Sequence, residues 1–294
     1  MSNNQRPGRP KRLLVATDLT PACDRALDRA LQLARAWGAE LHVLHVIPRT
    51  VDMSPRERLW DAPWTARADP TEAVKGAILR DLVKSPRDPD VAVHVAVGSA
   101  SGAILDTVAE QGCDLIVIGT SRDISLRRLL LGSTAEQLIK KVRVPLLVVR
   151  ERVHGAYPTI IAATDFSVAA AEPFEAAVHL FPQVPVVLFH GYHIPFSGIL
   201  INDQIRDEFQ QLGEKAAREF LKRVGLPADF PRIVRHGDPD ELLADHLDEN
   251  GPALVVVGTH GSSGFFDEAL GSMAQRIITR VLSDVLVVPY SKRT

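Results

Sequence analysis

The stretch VVGTHGSSGFFDEALGSMAQR, Val256 to Arg276, decides how this chain is read. An apolar run ends at Gly258, glycines recur at Gly261 and Gly271, and a helical pattern begins at Ser272. Strand, glycine loop and helix in that order let backbone N–H groups and a helix N-terminus approach a phosphate chain. Ser272 fits there as helix N-cap and hydroxyl donor. The segment VIGTSRDISLRRLLLGSTAEQ, Val117 to Gln137, repeats the pattern 139 residues earlier (258 − 119 = 139). Gly119, Thr120, Gly132 and Ser133 recur, but Arg122 stands where Gly261 should be. The chain holds two unequal copies of one unit.

The repetition extends to both ends of each copy. LLVATDLT with Asp18 echoes IIAATDFS with Asp165, LHVLHVIP around His45 echoes VVLFHGYHIP around His190, and PLLVVR near Val149 echoes VLVVPY near Val288. A period near 140 residues is a duplicated domain, far longer than the ~20 to 50 residues of a solenoid repeat. The 294 residues suit two domains, read as 1–151 and 152–294, with Arg150 to Tyr157 as linker. MSNNQRPGRPKR has basic residues but no apolar core behind them, and reads as a flexible tail, not a signal peptide.

A formal charge of −2 supplies no general attraction to nucleic acid or membrane. No apolar run reaches the ~18 residues of a membrane helix. These features place the chain in the cytoplasm. Cys23 and Cys113 are far apart with no CxxC spacing, so they read as buried or incidental thiols and not as a disulfide or zinc site.

Short β-branched runs alternate with helical patterns. The first half runs LLVAT, a helix from about Pro21 to Trp37, LHVLHVI, a helix near Pro70 to Leu82, VAVHVAV, a helix near Ser101 to Gln111, DLIVIGT, a helix near Ser133 to Lys141, and PLLVV. The second half repeats this with strands TIIAATD, PVVLFH, RIVRHG, ALVVVGT and VLVVP. Continuously apolar strands need cover on both faces, which right-handed crossover helices provide. The expected fold class is α/β: two repeated, doubly wound, five-stranded parallel-sheet domains.

In such sheets ligands sit beyond the carboxyl ends of the strands, where strand order reverses. Asp165, Gly191 and Gly258 fall there. GxGxxG is absent after the first strand of either half, and so is GxxxxGK[ST]. Phosphates, if held, are held by the loop after the fourth strand.

At these residues the chain resembles a tandem universal stress protein. The family's G-x2-G-x9-G-[ST] signature is present as Gly258, Gly261, Gly271 and Ser272, supported by the strand-one aspartate, GDPDELLADH and the terminal LVV. The resemblance spans nearly the whole chain and implies a Rossmann-like fold of the adenine-nucleotide-α-hydrolase type. It implies ATP, or AMP or ADP, with Mg²⁺ or Mn²⁺, and members that bind nothing also exist. It implies that Asp165 contacts the adenosine, that backbone around Gly191 reads the adenine edge, and that the glycine loop with Ser272 holds ribose and phosphates. It also implies that the final strands LLVV and VLVV lie adjacent across an intramolecular pseudo-twofold.

The nucleotide site is accordingly expected in the second half, at Thr164, Asp165, Gly191, Gly258, His260, Gly261, Gly271, Ser272 and Met273. The corresponding first-half set, Asp18, Val46, Gly119, Arg122, Gly132, Ser133 and Thr134, is degenerate. A side chain at Arg122 takes space a glycine would leave to phosphate and disfavours positive φ. The alternative is a guanidinium that serves a different anion, such as a shorter nucleotide. Phe266, Asp267 and Glu268 replace Arg127, Arg128 and Leu129 of the first half. Like charges ~4 Å apart cost about 1 kcal/mol even in water, so a triphosphate beside these acids calls for Mg²⁺.

His45 and His190 read as hydrogen-bonded structural residues, and His260 either bonds a phosphate or stabilises its loop. Trp60 and Trp64, and Phe196, Ile199, Leu200 and Ile201, lie after the second strand of each half, as loop packing or as an association surface for a homodimer of tandem chains or for an unknown protein partner. Lys140, Lys141 and Arg143 read as a solvated helix end. No catalytic constellation and no metal-ligand spacing emerges. The favoured reading is a stress-response sensor of an adenine nucleotide, for which slow hydrolysis is incidental. The alternatives are a nucleotide-free protein-interaction module and, behind it, an adenylate-using enzyme.

Overall fold

The computed structural model describes residues 9–48, 70–82, 89–120, 132–194, 203–259 and 271–290. They form two compact units, Pro10–Gly119 and the part from Thr120 onward.

The first unit contains β1 (Arg12–Thr17), α1 (Pro21–Trp37), β2 (Glu40–Ile47), α2 (Pro70–Asp81), β3 (Val91–Val97), α3 (Ala100–Gln111) and β4 (Leu115–Gly119). Its strands are parallel in the order β3-β2-β1-β4. Helix α1 starts at a proline, which suits the first helical position, and stops at Gly38, whose φ of 67° is costly for a residue with a Cβ. Ala26, Ala30, Leu33 and Ala34 are buried at helical spacing, the stripe that packs on β1 and β4.

The second unit contains α4 (Ser133–Lys141), β5 (Leu146–Val149), β6 (Ile160–Ala163), α5 (Ala171–Leu180), β7 (Val186–Tyr192), α6 (Asp203–Arg223), β8 (Arg232–His236), α7 (Pro239–Asn250), β9 (Leu254–Gly258), α8 (Ser272–Arg280) and β10 (Val285–Val288). Strands β10-β9-β6-β7-β8 form a five-stranded parallel sheet. β8-β7-β6-β9 repeats the order β3-β2-β1-β4, so the duplication seen in sequence is a duplication of topology. The strands are continuously apolar where the sheet is covered twice: the first four residues of β9 and all of β10 are buried.

The compact units do not coincide with the two sequence repeats. Helix α4 and strand β5 close the first repeat, yet belong to the unit that begins at Thr120. There β5 pairs antiparallel with β10, with Val148 opposite Val285 and Leu147 opposite Leu286. LLVV and VLVV are thus neighbours. The linker after β5 is pinned beside them. Asp284 is 1% exposed; its Oδ1 accepts the N–H groups of Arg150 (2.8 Å) and Glu151 (2.9 Å), and its Oδ2 accepts the Tyr157 hydroxyl (2.8 Å). The buried Arg150 guanidinium donates to Ile278 O at 2.6 Å and Ser283 O at 3.3 Å. Both terminal nitrogens of the guanidinium and the two backbone N–H groups thus find acceptors, as burial requires.

From β6 the chain moves to β7 and β8 on one side, then crosses to β9 and β10 on the other. Strand order therefore reverses between β6 and β9, and their carboxyl ends diverge around a crevice.

Candidate functional site

That crevice is a cavity of about 350 Å³, within the usual range of ligand pockets, ~300 to 1,000 Å³. Thr164 and Asp165 line it from the turn after β6, His190, Gly191 and His193 from β7 and its continuation, Gly258 from the end of β9, and Gly271, Ser272 and Met273 from the start of α8. Ala163, Ala170, Phe189, Val257, Ala274 and Ile277 make its apolar wall.

The turn that carries Asp165 is held by its own side chains. Thr164 Oγ1 accepts the Phe166 N–H at 2.9 Å, and Asp165 Oδ1 accepts the Ser167 N–H at 3.0 Å. Between them Phe166 adopts φ 59°, a left-handed conformation uncommon outside glycine. Its ring packs on His190, centroids 4.2 Å apart, and on Phe220 at 5.7 Å. Burial lowers the pKa of His190, favouring the neutral ring. Its Nδ1 lies 2.7 Å from Thr164 O, so in the neutral ring Nδ1 carries the proton and donates it.

The same turn recurs in the first repeat. Thr17 Oγ1 accepts from Leu19 N, Leu19 has φ 63°, Asp18 Oδ1 accepts from Thr20 N at 2.9 Å, and His45 Nδ1 meets Thr17 O at 3.0 Å. Burial raises the Asp18 pKa, but hydrogen bonds from Thr20 and Cys23 outweigh it and the net shift is downward. Asp18, Val46 and Gly119 stand at the carboxyl ends of β1, β2 and β4 in the first unit, whereas Gly132, Ser133 and Thr134 begin α4 in the second.

The glycines differ in what demands them. A Cβ on Gly191 would lie 2.9 Å from Pro239 Cα, so the end of β7 and the start of α7 touch only because that side chain is missing. Gly271 has φ −55°, and among the described residues a Cβ there would meet nothing nearer than Thr259 O at 3.4 Å. The described residues make little demand for a glycine at 271. One expectation is corrected: Ser272 is the first helical residue and Gly271 occupies the cap position, without a side-chain bond. Ser133 and Gly132 repeat this on α4. A glycine cap itself offers no side-chain acceptor to the N-terminal N–H groups.

His260, Gly261, Arg122, Arg127, Arg128, Leu129, Phe266, Asp267 and Glu268 lie outside the described residues, as do Trp60, Trp64, Phe196, Ile199, Leu200 and Ile201. Cys23 and Cys113 are free, buried thiols, each pushed up to about 11 by burial. Thiols so placed are poor nucleophiles at neutral pH. Among the described residues no group of three or more His, Cys, Asp or Glu could hold a metal, and no helix is long and apolar enough to cross a membrane.

Comparison with known proteins agrees with this geometry. The model of the universal stress protein family matches residues 10–150 and again 156–289. This chain belongs to that family. A universal stress protein of Mycolicibacterium smegmatis is 25% identical over 297 residues, covering 94% of this chain and 96% of the relative. Universal stress protein E of Escherichia coli K12 is 23% identical over 306 residues, covering 94% and 93%. Among solved structures, a universal stress protein from Archaeoglobus fulgidus superposes with a TM-score of 0.66 at 18% identity, covering 96% of this chain and 99% of that one. The two relatives thus match this chain over nearly their whole length, and the solved structure shares its fold.

Several residues at the site were not legible in advance. His193 and Pro239 line the cavity, and Phe166 buttresses its aspartate turn. Asp238, Asp240 and Arg276 join the two helices at its edge. Only the last set had a sequence signal: in the 139-residue register the first repeat carries Ser99, Ser101 and Gln137 at those positions.

Proposed function

We propose that the second repeat binds an adenine nucleotide, ATP or AMP, and that the chain is a nucleotide-responsive regulator of a stress response. The observation that carries this is the meeting, in one cavity, of the Asp165 turn and the first turn of α8. A carboxylate suits the hydroxyl or amine donors of a nucleoside and would repel phosphate. Helix N-terminal N–H groups suit phosphate, and the apolar wall suits a base. A glycine at 271 that the described residues barely require is in keeping with close approach by a ligand.

The divalent ion, Mg²⁺ or Mn²⁺, comes with the nucleotide, carried on its phosphates. The chain works in the cytoplasm as a homodimer, whose mass light scattering reads directly.

Calorimetric titration with ATP and Mg²⁺ tests the reading. One site per chain is expected, and Asp165→Ala is expected to weaken it by about tenfold, ~1.4 kcal/mol. Absence of binding, or a titration that Asp165→Ala leaves unchanged, overturns it.

A further inference from the structure

The first turn of α8 lines the cavity, but the helix is only nine residues long. Its buried face, Ala274, Ile277 and Ile278, holds it to the protein interior. Apolar contacts of that kind are non-directional and leave rotation and sliding weakly specified. Two arginines one turn apart supply the direction. Arg276 Nη2 donates to Asp238 Oδ1 at 2.9 Å and lies 2.6 Å from Asp240 Oδ1. Arg280 reaches Asp240 Oδ2 at 3.5 Å and Glu241 at 3.0 Å. All three acids belong to the cap and first turn of α7, where carboxylates complement the helix dipole. Asp240 is 2% exposed, so its share of this network is sheltered from solvent screening. The Arg276 bond draws the Asp238 pKa down, and the same bond raises that of Arg276.

Helix α7 is itself fixed to the cavity, because Pro239 lines it and abuts Gly191. The end of β7, the start of α7 and the start of α8 are therefore linked in sequence: Gly191 to Pro239 by contact, Asp238 and Asp240 to Arg276 by charge. Serines and a glutamine replace this ionic set in the first repeat, at Ser99, Ser101 and Gln137.

We infer that Arg276, held by Asp238 and Asp240, is a positioning residue that aims the N-terminal N–H groups of α8 at the anionic end of the ligand. This rests on nucleotide binding in the second repeat. The arginine acts through the helix and not by lending its charge to the ligand, since two carboxylates already engage it. An effect on the helix terminus belongs to phosphate and not to the nucleoside.

Calorimetry on the full chain, with ATP plus Mg²⁺ and separately with adenosine, tests this in Arg276→Gln and Asp240→Asn. Arg276→Gln is expected to weaken ATP about fivefold, the scale of a partly buried helix-terminus interaction, and to change adenosine by less than about twofold. Asp240→Asn removes a negative charge near the anion, so a pure charge effect strengthens ATP binding, whereas lost positioning weakens it; weakening is expected. The double variant is expected to be no worse than either single one, as coupled partners are. Circular dichroism and the melting temperature check that the variants keep the overall helix content and fold, and Arg276→Lys, which keeps the charge, supplies a milder test expected to fall between. Equal loss of ATP and adenosine, no loss of ATP, or stronger ATP binding by Asp240→Asn overturns the inference while nucleotide binding stands. Failure of the unaltered chain to bind ATP overturns the nucleotide reading and this inference with it.

Discussion

Pro239 Cα stands 2.9 Å from where a Cβ on Gly191 would be. The glycine is thus a packing requirement at the cavity wall, quite apart from any ligand. In the first repeat a valine, Val46, corresponds to Gly191 and an alanine, Ala100, to Pro239. Gly191→Val is expected to displace α7 and destabilise the chain by about 1 to 3 kcal/mol, the usual cost of overpacking. ATP binding should fall with it. Paired melting and titration curves for this variant check both effects, and an unshifted melting temperature refutes the packing account.

Much of this architecture was legible because each strand announces its environment. LIVIG and LVVVG, apolar throughout, demand cover on both faces, and the helical patterns between them supply it. Pro21 and Gly38 marked the ends of α1 by mechanisms that act within a few residues. What stayed hidden depends on contacts between distant positions. Nothing near Gly191 reveals that Pro239 will press on it, and the contrast between the repeats at Asp238, Asp240 and Arg276 does not by itself reveal that the two acids meet the arginine. The packing of the left-handed Phe166 was equally unreadable, because its ring rests on the distant His190 and Phe220. The cap was assigned to Ser272, a good cap by residue type, whereas Gly271 occupies the cap position and Ser272 is the first helical residue.

Asp284 gathers three donors from the segment that follows β5. Asp284→Ala leaves the N–H groups of Arg150 and Glu151 and the Tyr157 hydroxyl without this acceptor. Stranded buried donors cost ~1 to 3 kcal/mol each, so a loss of about 3 kcal/mol or more is expected. Urea unfolding measures it. Hydrogen exchange at β5 and β10, whose pairing lies beside the cluster, should quicken as well. A midpoint within error of the parent would show that the linker is held by other means.

His42 and His94 form a pair in the first unit, with His42 Nδ1 2.9 Å from His94 Nε2 and ring centroids 5.2 Å apart. Burial lowers both pKa values from 6.5, and the charges around them are Glu40 and Arg12 beside His42, and Lys75 and Glu110 beside His94. With a depressed folded value the unfolded chain binds protons first as pH falls. Stability contributed by the neutral pair is therefore complete above the unfolded value and is lost as pH drops below about 6.5 toward the folded values. His190 and His246 shift in the same direction. The melting temperature should accordingly fall between about pH 7.5 and 5.5 in the parent, and fall less in His42→Gln or His94→Gln. Equal slopes for parent and variants would remove the pair from the titration.

The two repeats also allow a reciprocal exchange, argued from sequence register alone. Gly261 and Arg122 occupy the same place in the glycine loops of the two halves. Gly261→Arg writes the first-half residue into the second half. It is expected to weaken ATP by about tenfold or more, ~1.4 kcal/mol, while leaving the melting curve in place. Arg122→Gly does the reverse, and if the arginine alone closes the first site, calorimetric stoichiometry should rise from one toward two per chain, the new site weaker than the old. Asp165→Ala in that background should remove the stronger site and leave the weaker. Two equal sites in the unaltered chain, or full ATP affinity in Gly261→Arg, would place the working pocket in the other half.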